Sequence, residues 1–151
     1  MGADPVIYCL ENLTDYDKAT RINYDFRIGD YFQQISGEIY INLNMNKDYY
    51  NEYIANRETP WENDYKYVKK EVCVLDIPEG YEIDYVPEDA HLEGDNMGVN
   101  VNYIVSNDKV VMNKTFYLDF LMLEPDQFNS WNESIKNVSE VYKESIILKK
   151  K

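Results

Sequence analysis

The stretch 71–87 constrains the fold more than any other part of the chain. It consists of an apolar run, a Pro-Glu-Gly turn and a second run in which aromatic and aliphatic residues alternate with acidic ones. An apolar run with few polar interruptions is typical of a strand inside a sheet, whereas alternation is typical of a strand with one solvated face. The stretch therefore predicts a long strand over 65–77 in the middle of a sheet, followed by a strand over 81–86.

Five further segments have the pattern of strands. Apolar and polar residues alternate strictly over 21–28 and 38–45, and a weaker pattern of the same kind covers 6–13. A period of two places every second side chain on one face, so these strands each have a face to bury. The segments 99–105 and 109–122 flank a Ser-Asn-Asp turn and predict a hairpin.

The segment 46–64 differs from the strands around it. It carries polar residues, scattered aromatic residues and a Thr59-Pro60 break, without a regular period. A connection of this length fits a two-sheet sandwich better than a meander, because the chain has to change sheets or cross the end of a barrel. We interpret it as a long crossover with little regular structure.

The C-terminal part of the chain has the period of a helix. Large apolar or aromatic residues recur at steps of 3, 4, 3 and 4, at Phe128, Trp131, Ile135, Val138 and Tyr142. This spacing puts them on one face of a helix and on no coherent face of a strand. We expect an amphipathic helix over 126–142, packed on the sheet, and a short final strand over 145–148.

These patterns predict a mainly β fold, an antiparallel β-sandwich that is immunoglobulin-like or related, with one C-terminal helix. A chain of 151 residues is expected to form a single domain over 1–151. The predicted core comes from the inward-facing positions of two strands and of the helix: Ile39, Ile41, Leu43, Val72, Val74, Phe128, Trp131 and Ile135.

The charge of the chain argues against two classes of partner. Fifteen Lys and Arg residues stand against 28 Asp and Glu residues, which gives a net charge of -13. So acidic a chain repels both a nucleic-acid backbone and an anionic membrane surface. No apolar run in the sequence reaches the roughly 18 to 20 residues that span a bilayer. We expect no nucleic-acid binding, no membrane insertion and a stable, soluble monomer in isolation.

Few residues have the chemistry of a catalytic or metal site. Cys73 and the single histidine, His91, could act as a thiol nucleophile and its base, but Cys73 lies in the most apolar strand, where a thiol usually packs inertly. The acidic loop 88–95 offers oxygen ligands for calcium without the spacing of a calcium loop. A disulfide between Cys9 and Cys73 would require the fold to bring them within reach. We expect no enzyme active site, no metal and no cofactor.

Aromatic residues of the crossover are the candidate binding surface: Tyr49, Tyr50, Tyr53 and Trp61. Exposed aromatic rings that share a plane bind a sugar ring or a partner protein. The alternative is that the tyrosines pair across a sheet and that Trp61 pins the crossover to it. An open platform would therefore favour a binding module, and a crossover folded against its own sheet would favour a structural role.

Several local patterns, in their order along the chain, resemble those of a known family. They are Tyr16-Asp-Lys18, Ile39-Tyr-Ile-Asn-Leu-Asn44, Arg57 with Pro60, Ile77-Pro-Glu-Gly-Tyr81 with Tyr85-Val-Pro87, and Phe128, Trp131-Asn132 and Tyr142-Lys-Glu144 before Ile146-Ile-Leu-Lys149. Together they resemble the C-terminal β-domain of bacterial transglutaminase-like proteins. In that family a β-rich domain of unknown function comes first, a papain-like transglutaminase core follows, and this domain ends the exported chain.

The resemblance implies a non-catalytic accessory domain that packs on or near the transglutaminase-like core, with the upstream domains of its own chain as partners. The Cys, His and Asp motifs of such a core have no counterpart in this sequence. The resemblance further implies a segment excised from the C-terminus of a longer chain, located in the periplasm or outside the cell, with a signal peptide that is not in this chain. The alternative is a glycan- or protein-binding module that uses the aromatic crossover, 46–67.

Overall fold

A computed structural model describes residues 7–25 and 31–151, which belong to two compact units divided between Gln33 and Gln34. One helix, α1 (Phe128–Val141), follows a 3-10 turn at Pro125–Gln127. The strands, in chain order, are β1 (Ile7–Glu11), β2 (Arg21–Asp25), β3 (Gln33–Ile35), β4 (Glu38–Ile41), β5 (Trp61–Glu62), β6 (Tyr67–Asp76), β7 (Tyr81–Tyr85), β8 (Ala90–Leu92), β9 (Met97–Val105), β10 (Lys109–Leu118), β11 (Met122–Leu123) and β12 (Ile146–Lys150).

The described part of the first unit is an antiparallel hairpin of β1 and β2. Glu11 lies opposite Arg21 beside the connecting turn, and their side chains form an ion pair of 3.5 Å. Asn12 has a positive φ of 60° at the start of this turn, and its side-chain amide donates a hydrogen bond to the Ala19 carbonyl. The strands predicted over 6–13 and 21–28 are both present, although Val6 and residues 26–28 lie outside the described residues.

The second unit contains two four-stranded antiparallel sheets. Sheet A has the order β6-β10-β9-β8, sheet B has the order β3-β4-β12-β7, and β5 pairs with β11. The segment 46–64 leads from β4 of sheet B to β6 of sheet A, so the chain changes sheets where the crossover was predicted. Antiparallel sheets, a C-terminal helix and a final strand confirm the predicted fold class, a mainly β structure consistent with a sandwich.

Helix α1 and the central strands enclose the core. Every second residue of β10, from Val110 to Leu118, is buried, because alternate side chains of a strand point to the same face. The apolar stripe of α1 is buried in the same way, and Trp131 is only 1% exposed. Six of the eight predicted core residues are among the buried side chains: Ile39, Ile41, Leu43, Phe128, Trp131 and Ile135.

Strand β6 differs from its prediction in both position and exposure. It is an edge strand of sheet A, whereas β10 is a central strand. The side chains of Val72 and Val74 are 68% and 55% exposed. The prediction that these two valines lie in the core of a central strand is wrong. The reason is that Glu71 faces inward and pairs with the buried Lys114 of β10. Because neighbouring residues of a strand point to opposite faces, both valines face outward.

Several short elements were not predicted. β8 lies within the predicted acidic loop, β5 within the predicted crossover, and β11 at the end of the segment predicted as one strand over 109–122. Each has only two or three residues, too few to show a period. Helix α1 begins two residues later than predicted, because the preceding turn is 3-10 helical and the Glu124 N–H donates to the Gln127 side chain at 2.9 Å. No helix in the described residues is long and apolar enough to cross a membrane.

Trp131→Ala is expected to lower the free energy of unfolding by about 3 to 5 kcal/mol, because it leaves a cavity in the core. Denaturant unfolding followed by circular dichroism measures the change. Glu133→Ala, on the exposed face of the same helix, is the control and should stay within about 0.5 kcal/mol of the unmodified chain. Equal effects of the two substitutions would show that α1 is not part of the core.

Candidate functional site

Side chains of helix α1 form hydrogen bonds with the backbone of the crossover 46–64. The Trp131 indole N–H donates to the Glu52 carbonyl at 3.1 Å, and the Ser139 hydroxyl accepts from the Asn51 N–H at 3.0 Å. The Asn132 side chain forms two hydrogen bonds with the backbone of Ile54, accepting from its N–H at 2.8 Å and donating to its carbonyl at 2.9 Å. The crossover is therefore ordered by the helix although it has little secondary structure of its own.

An aromatic cluster fixes the crossover to the core. Tyr49 stacks on Phe116 of β10 with ring centroids 5.9 Å apart, and it meets the Trp131 ring edge-on at 5.4 Å. Trp61 meets Trp131 edge-on at 5.1 Å and Phe120 at 5.5 Å. Such pairs contribute about 0.5 to 1.5 kcal/mol each beyond their buried area. Tyr49 and Trp61 thus pack against the domain's own sheet and helix.

The backbone of the crossover is held in unusual conformations. Tyr49, Asn51 and Asn56 have positive φ values of 57°, 58° and 56°. Asparagine tolerates this left-handed region, but tyrosine rarely adopts it. A residue with a strained backbone persists only where its contacts hold that conformation. At Tyr49 the ring contacts with Phe116 and Trp131 hold the backbone in this conformation. Burial also raises the pKa of the Tyr49 hydroxyl, which shares a hydrogen bond with Tyr67.

The structure does not bring the four predicted surface residues together on one open face. Tyr49 and Trp61 belong to the aromatic cluster, and Tyr50 is half-buried beneath the Lys47 ammonium, which lies 5.3 Å from its ring centroid. Tyr53 is 49% exposed and is the most open of the four. Of the two arrangements expected from the sequence, the crossover has the one folded against its own domain.

Residues 52–59 and Trp61 of the crossover line a groove of about 620 Å³. Arg57 orders the backbone of the groove, because its guanidinium donates to the Thr59 carbonyl at 2.8 Å and to the Pro60 carbonyl at 2.7 Å. The lining combines the aromatic rings of Tyr53 and Trp61 with the carboxylates of Glu52 and Glu58 and the Arg57 cation. The groove therefore combines apolar surface with positive and negative charges.

A buried cation lies beneath the start of the crossover. The Lys114 side chain is 1% exposed and its ammonium lies 2.7 Å from the Glu71 carboxylate. It also donates to the Asn46 carbonyl and lies 5.1 Å from the centroid of the Tyr142 ring. Burial raises the pKa of the Tyr142 hydroxyl, with the Asp48 and Glu71 carboxylates as further causes.

This polar cluster was not predicted from the sequence. A signal for it exists, because Lys114 occupies an inward position of β10 between apolar residues, and a charge at such a position requires a partner. Two buried atoms near the crossover, Asn44 Oδ1 and the Tyr142 hydroxyl oxygen, lack a hydrogen-bond partner among the described residues.

Cys73 and His91, considered as a nucleophile and its base, lie on different strands and opposite faces of sheet A. Cys73 of β6 lies opposite Met112 on the inner face of sheet A, whereas His91 of β8 lies opposite Asn100 on the outer face, with two strands between β6 and β8. They cannot act as a nucleophile and base pair. Burial, followed by the nearby Glu71 carboxylate, raises the pKa of the Cys73 thiol, which lowers its thiolate fraction. Cys9 and Cys73 are both free thiols.

The acidic loop 88–95 makes its own local contacts. The Asp89 carboxylate accepts from the Tyr103 N–H at 2.8 Å, and His91 lies 3.1 Å from Glu93. The described residues contain no group of three or more histidine, cysteine or acidic side chains that could hold a metal ion.

Asn132→Ala is expected to lower the free energy of unfolding by about 1 to 3 kcal/mol, because both backbone groups of Ile54 lose their partner. It should also speed proteolytic cleavage within the crossover. Chemical unfolding and mass spectrometry of the digest measure the two effects. Asn137→Ala removes an exposed amide from the same helix and should leave both unchanged. Equal cleavage rates in the two variants would mean that Asn132 does not hold the crossover.

Comparison with known proteins identifies a family. The family model of DUF3858, a domain of unknown function for which a structure has been solved, covers residues 37–148. No curated protein matches the chain significantly, and no solved structure does. The match begins just before β4 and ends within β12, so it contains the crossover, α1 and the Lys114 cluster. Since it spans more than half of the sequence, the chain belongs to the DUF3858 family of β-rich domains of unknown function.

Proposed function

We propose that the second unit is a non-catalytic accessory domain that packs on or near a transglutaminase-like core of papain fold in the same exported bacterial protein. The resemblance of the local patterns to the C-terminal β-domain of such proteins supports this proposal. Its partners are then the upstream domains of its own chain, and its location is the periplasm or the outside of the cell.

The observation that carries the proposal is the inward packing of the crossover. Tyr49 and Trp61, two residues of the predicted surface, are only partly exposed and pack on Phe116, Phe120 and Trp131. A domain that recognised a glycan by itself would present such rings on one open plane. Tyr49 and Trp61 therefore stabilise the domain, which suits a unit that works through the chain to which it is joined.

The chemistry of the described residues is in keeping with an accessory role. The raised pKa of the Cys73 thiol disfavours the thiolate that a papain-like nucleophile requires. Catalysis is therefore assigned to the proposed core, and the accessory domain affects the stability of that core or substrate access to it. Interfaces between domains of one chain are usually modest and fairly polar, and the covalent tether compensates by an effective concentration in roughly the mM range.

In a chain that carries both parts, deletion of 37–148 is expected to lower the melting temperature of the core and to change its turnover of a peptide substrate. Proteolytic cleavage at a site introduced between core and domain, followed by dilution, should have the same effect because the tether is lost. Mock treatment of a chain without the site is the control. An unchanged melting temperature and turnover after deletion would contradict docking and would leave a passive spacer as the better account.

The groove within the crossover favours a second candidate, a glycan- or protein-binding module. Its lining of Tyr53, Trp61, Arg57 and two glutamates offers a ring for stacking and several hydrogen-bonding groups, as small polar ligands require. This site differs from the open platform, because it uses one exposed ring, Tyr53, together with charged side chains.

Titration of the chain with a panel of oligosaccharides, followed by tryptophan fluorescence, tests the groove because Trp61 lines it. If the groove binds sugars, a saturable shift is expected that Tyr53→Ala abolishes. Tyr65→Ala removes an exposed tyrosine that does not line the groove and should leave the shift intact. A shift that is absent across the panel, or equally affected by the two substitutions, would contradict glycan binding in the groove.

A further inference from the structure

Strand β6 leaves one edge of sheet A open within the part of the chain that the structure describes. Its partner there is β10, on one side only. The side chains of Val68, Val72 and Val74 on its outer face are 63%, 68% and 55% exposed. Proteins usually keep edge strands short or blunt them, since an open edge is a template for another strand. This edge strand is ten residues long.

The hydrogen-bonding pattern shows which residues face the open edge. The Ile77 N–H donates to the Asp108 carbonyl at 2.8 Å, just beyond the end of the β6–β10 ladder. In an antiparallel pair, alternate residues direct both backbone groups towards the same neighbour. Odd-numbered residues of β6 therefore face β10. The even-numbered residues present their N–H and carbonyl groups to the open edge: Val68, Lys70, Val72, Val74 and Asp76.

The sequence of this edge is complementary to itself. In an antiparallel pair of two β6 strands centred on Cys73, Lys70 of one copy lies opposite Asp76 of the other, and Val72 lies opposite Val74. Two-fold symmetry produces each of these pairs twice. Opposite charges and apolar pairs that face each other directly across strands are stabilising. Centring the pair on Val72 instead would place Lys70 opposite Val74, and centring it on Val74 would place Val72 opposite Asp76.

We propose that the open edge of β6 pairs with the same edge of a second copy of this chain, antiparallel and centred on Cys73. The two four-stranded A sheets then form one continuous sheet across a two-fold axis. The charge complementarity of Lys70 and Asp76 selects a second copy as the occupant, because it exists only when the strand meets itself in this register. The proposal replaces the monomer expected from the sequence and is independent of the proposed accessory function.

The dimer is expected to be weak. Each copy carries a net charge of -13, so the two copies repel each other overall. The pairing involves one ten-residue strand from each copy, and small interfaces are typical of transient association. Association should therefore depend on protein concentration.

Sedimentation velocity of the whole chain over a concentration series tests the dimer. The unmodified chain is expected to shift from monomer to dimer as concentration rises. Lys70→Glu alone and Asp76→Lys alone should each raise the dissociation constant roughly tenfold, because each places like charges opposite each other twice. The double exchange, Lys70→Glu with Asp76→Lys, should restore dimerisation. Lys136→Glu, the same charge change on the exposed face of α1, should have no effect.

A chain that stays monomeric at every concentration would overturn the proposal. So would a double exchange that is no better than the single substitutions. Circular dichroism of each variant establishes that it is folded, and recovery in the double variant separates pairing from a general loss of structure.

Cross-linking tests the register independently. The backbone N–H and carbonyl groups of Cys73 point towards β10. At the new edge the two Cys73 residues therefore form a non-hydrogen-bonded pair, and the Cα atoms of such a pair lie about 4.5 Å apart. In a Cys9→Ser chain, copper phenanthroline is expected to oxidise the two thiols to a disulfide, removing two electrons and two protons, and to yield a covalent dimer. Adding Cys73→Ser and Leu75→Cys moves the thiol opposite Glu71 and should abolish the dimer band. Equal cross-linking of both chains would contradict the register.

Discussion

The buried ion pair between Lys114 and Glu71 is the constraint on which the arrangement of sheet A depends. The two residues lie directly opposite each other in the β10–β6 ladder, and the Lys114 side chain is almost completely enclosed. A slip of one residue would turn Glu71 outward and leave an unpaired charge in the core, which is strongly destabilising. The pair therefore sets the register of β6 and decides which of its faces meets solvent. The exposure of the valines follows from the position of one lysine.

The fold class could be predicted from the sequence because its evidence is local. Alternation over 38–45 and the steps between Phe128 and Tyr142 are properties of single elements, and they gave the right faces for Ile39 and Trp131. The position of β6 could not be obtained in this way. Its apolar run has the composition of a central strand, and only the partner across the ladder, Lys114, shows that the face carrying Glu71 is the inner one.

The candidate site was predicted in part. The sequence indicates that aromatic residues concentrate in the crossover, but periodicity says nothing about an irregular segment. Whether Tyr49 points to solvent or to the core depends on Phe116 and Trp131, which are distant in sequence, and on a positive φ that tyrosine rarely adopts. The groove depends likewise on Arg57, whose hydrogen bonds to two backbone carbonyls bend the chain. Both features belong to tertiary structure.

Helix α1 and the crossover are joined across a long stretch of chain, and this has a consequence for the order of folding. The hydrogen bonds from Trp131, Asn132 and Ser139 reach residues that lie 79, 78 and 88 positions earlier. Contacts between such distant residues slow folding, because a large loop must close before they form. During synthesis the crossover emerges long before its helix. It therefore remains without these contacts until most of the unit has left the ribosome.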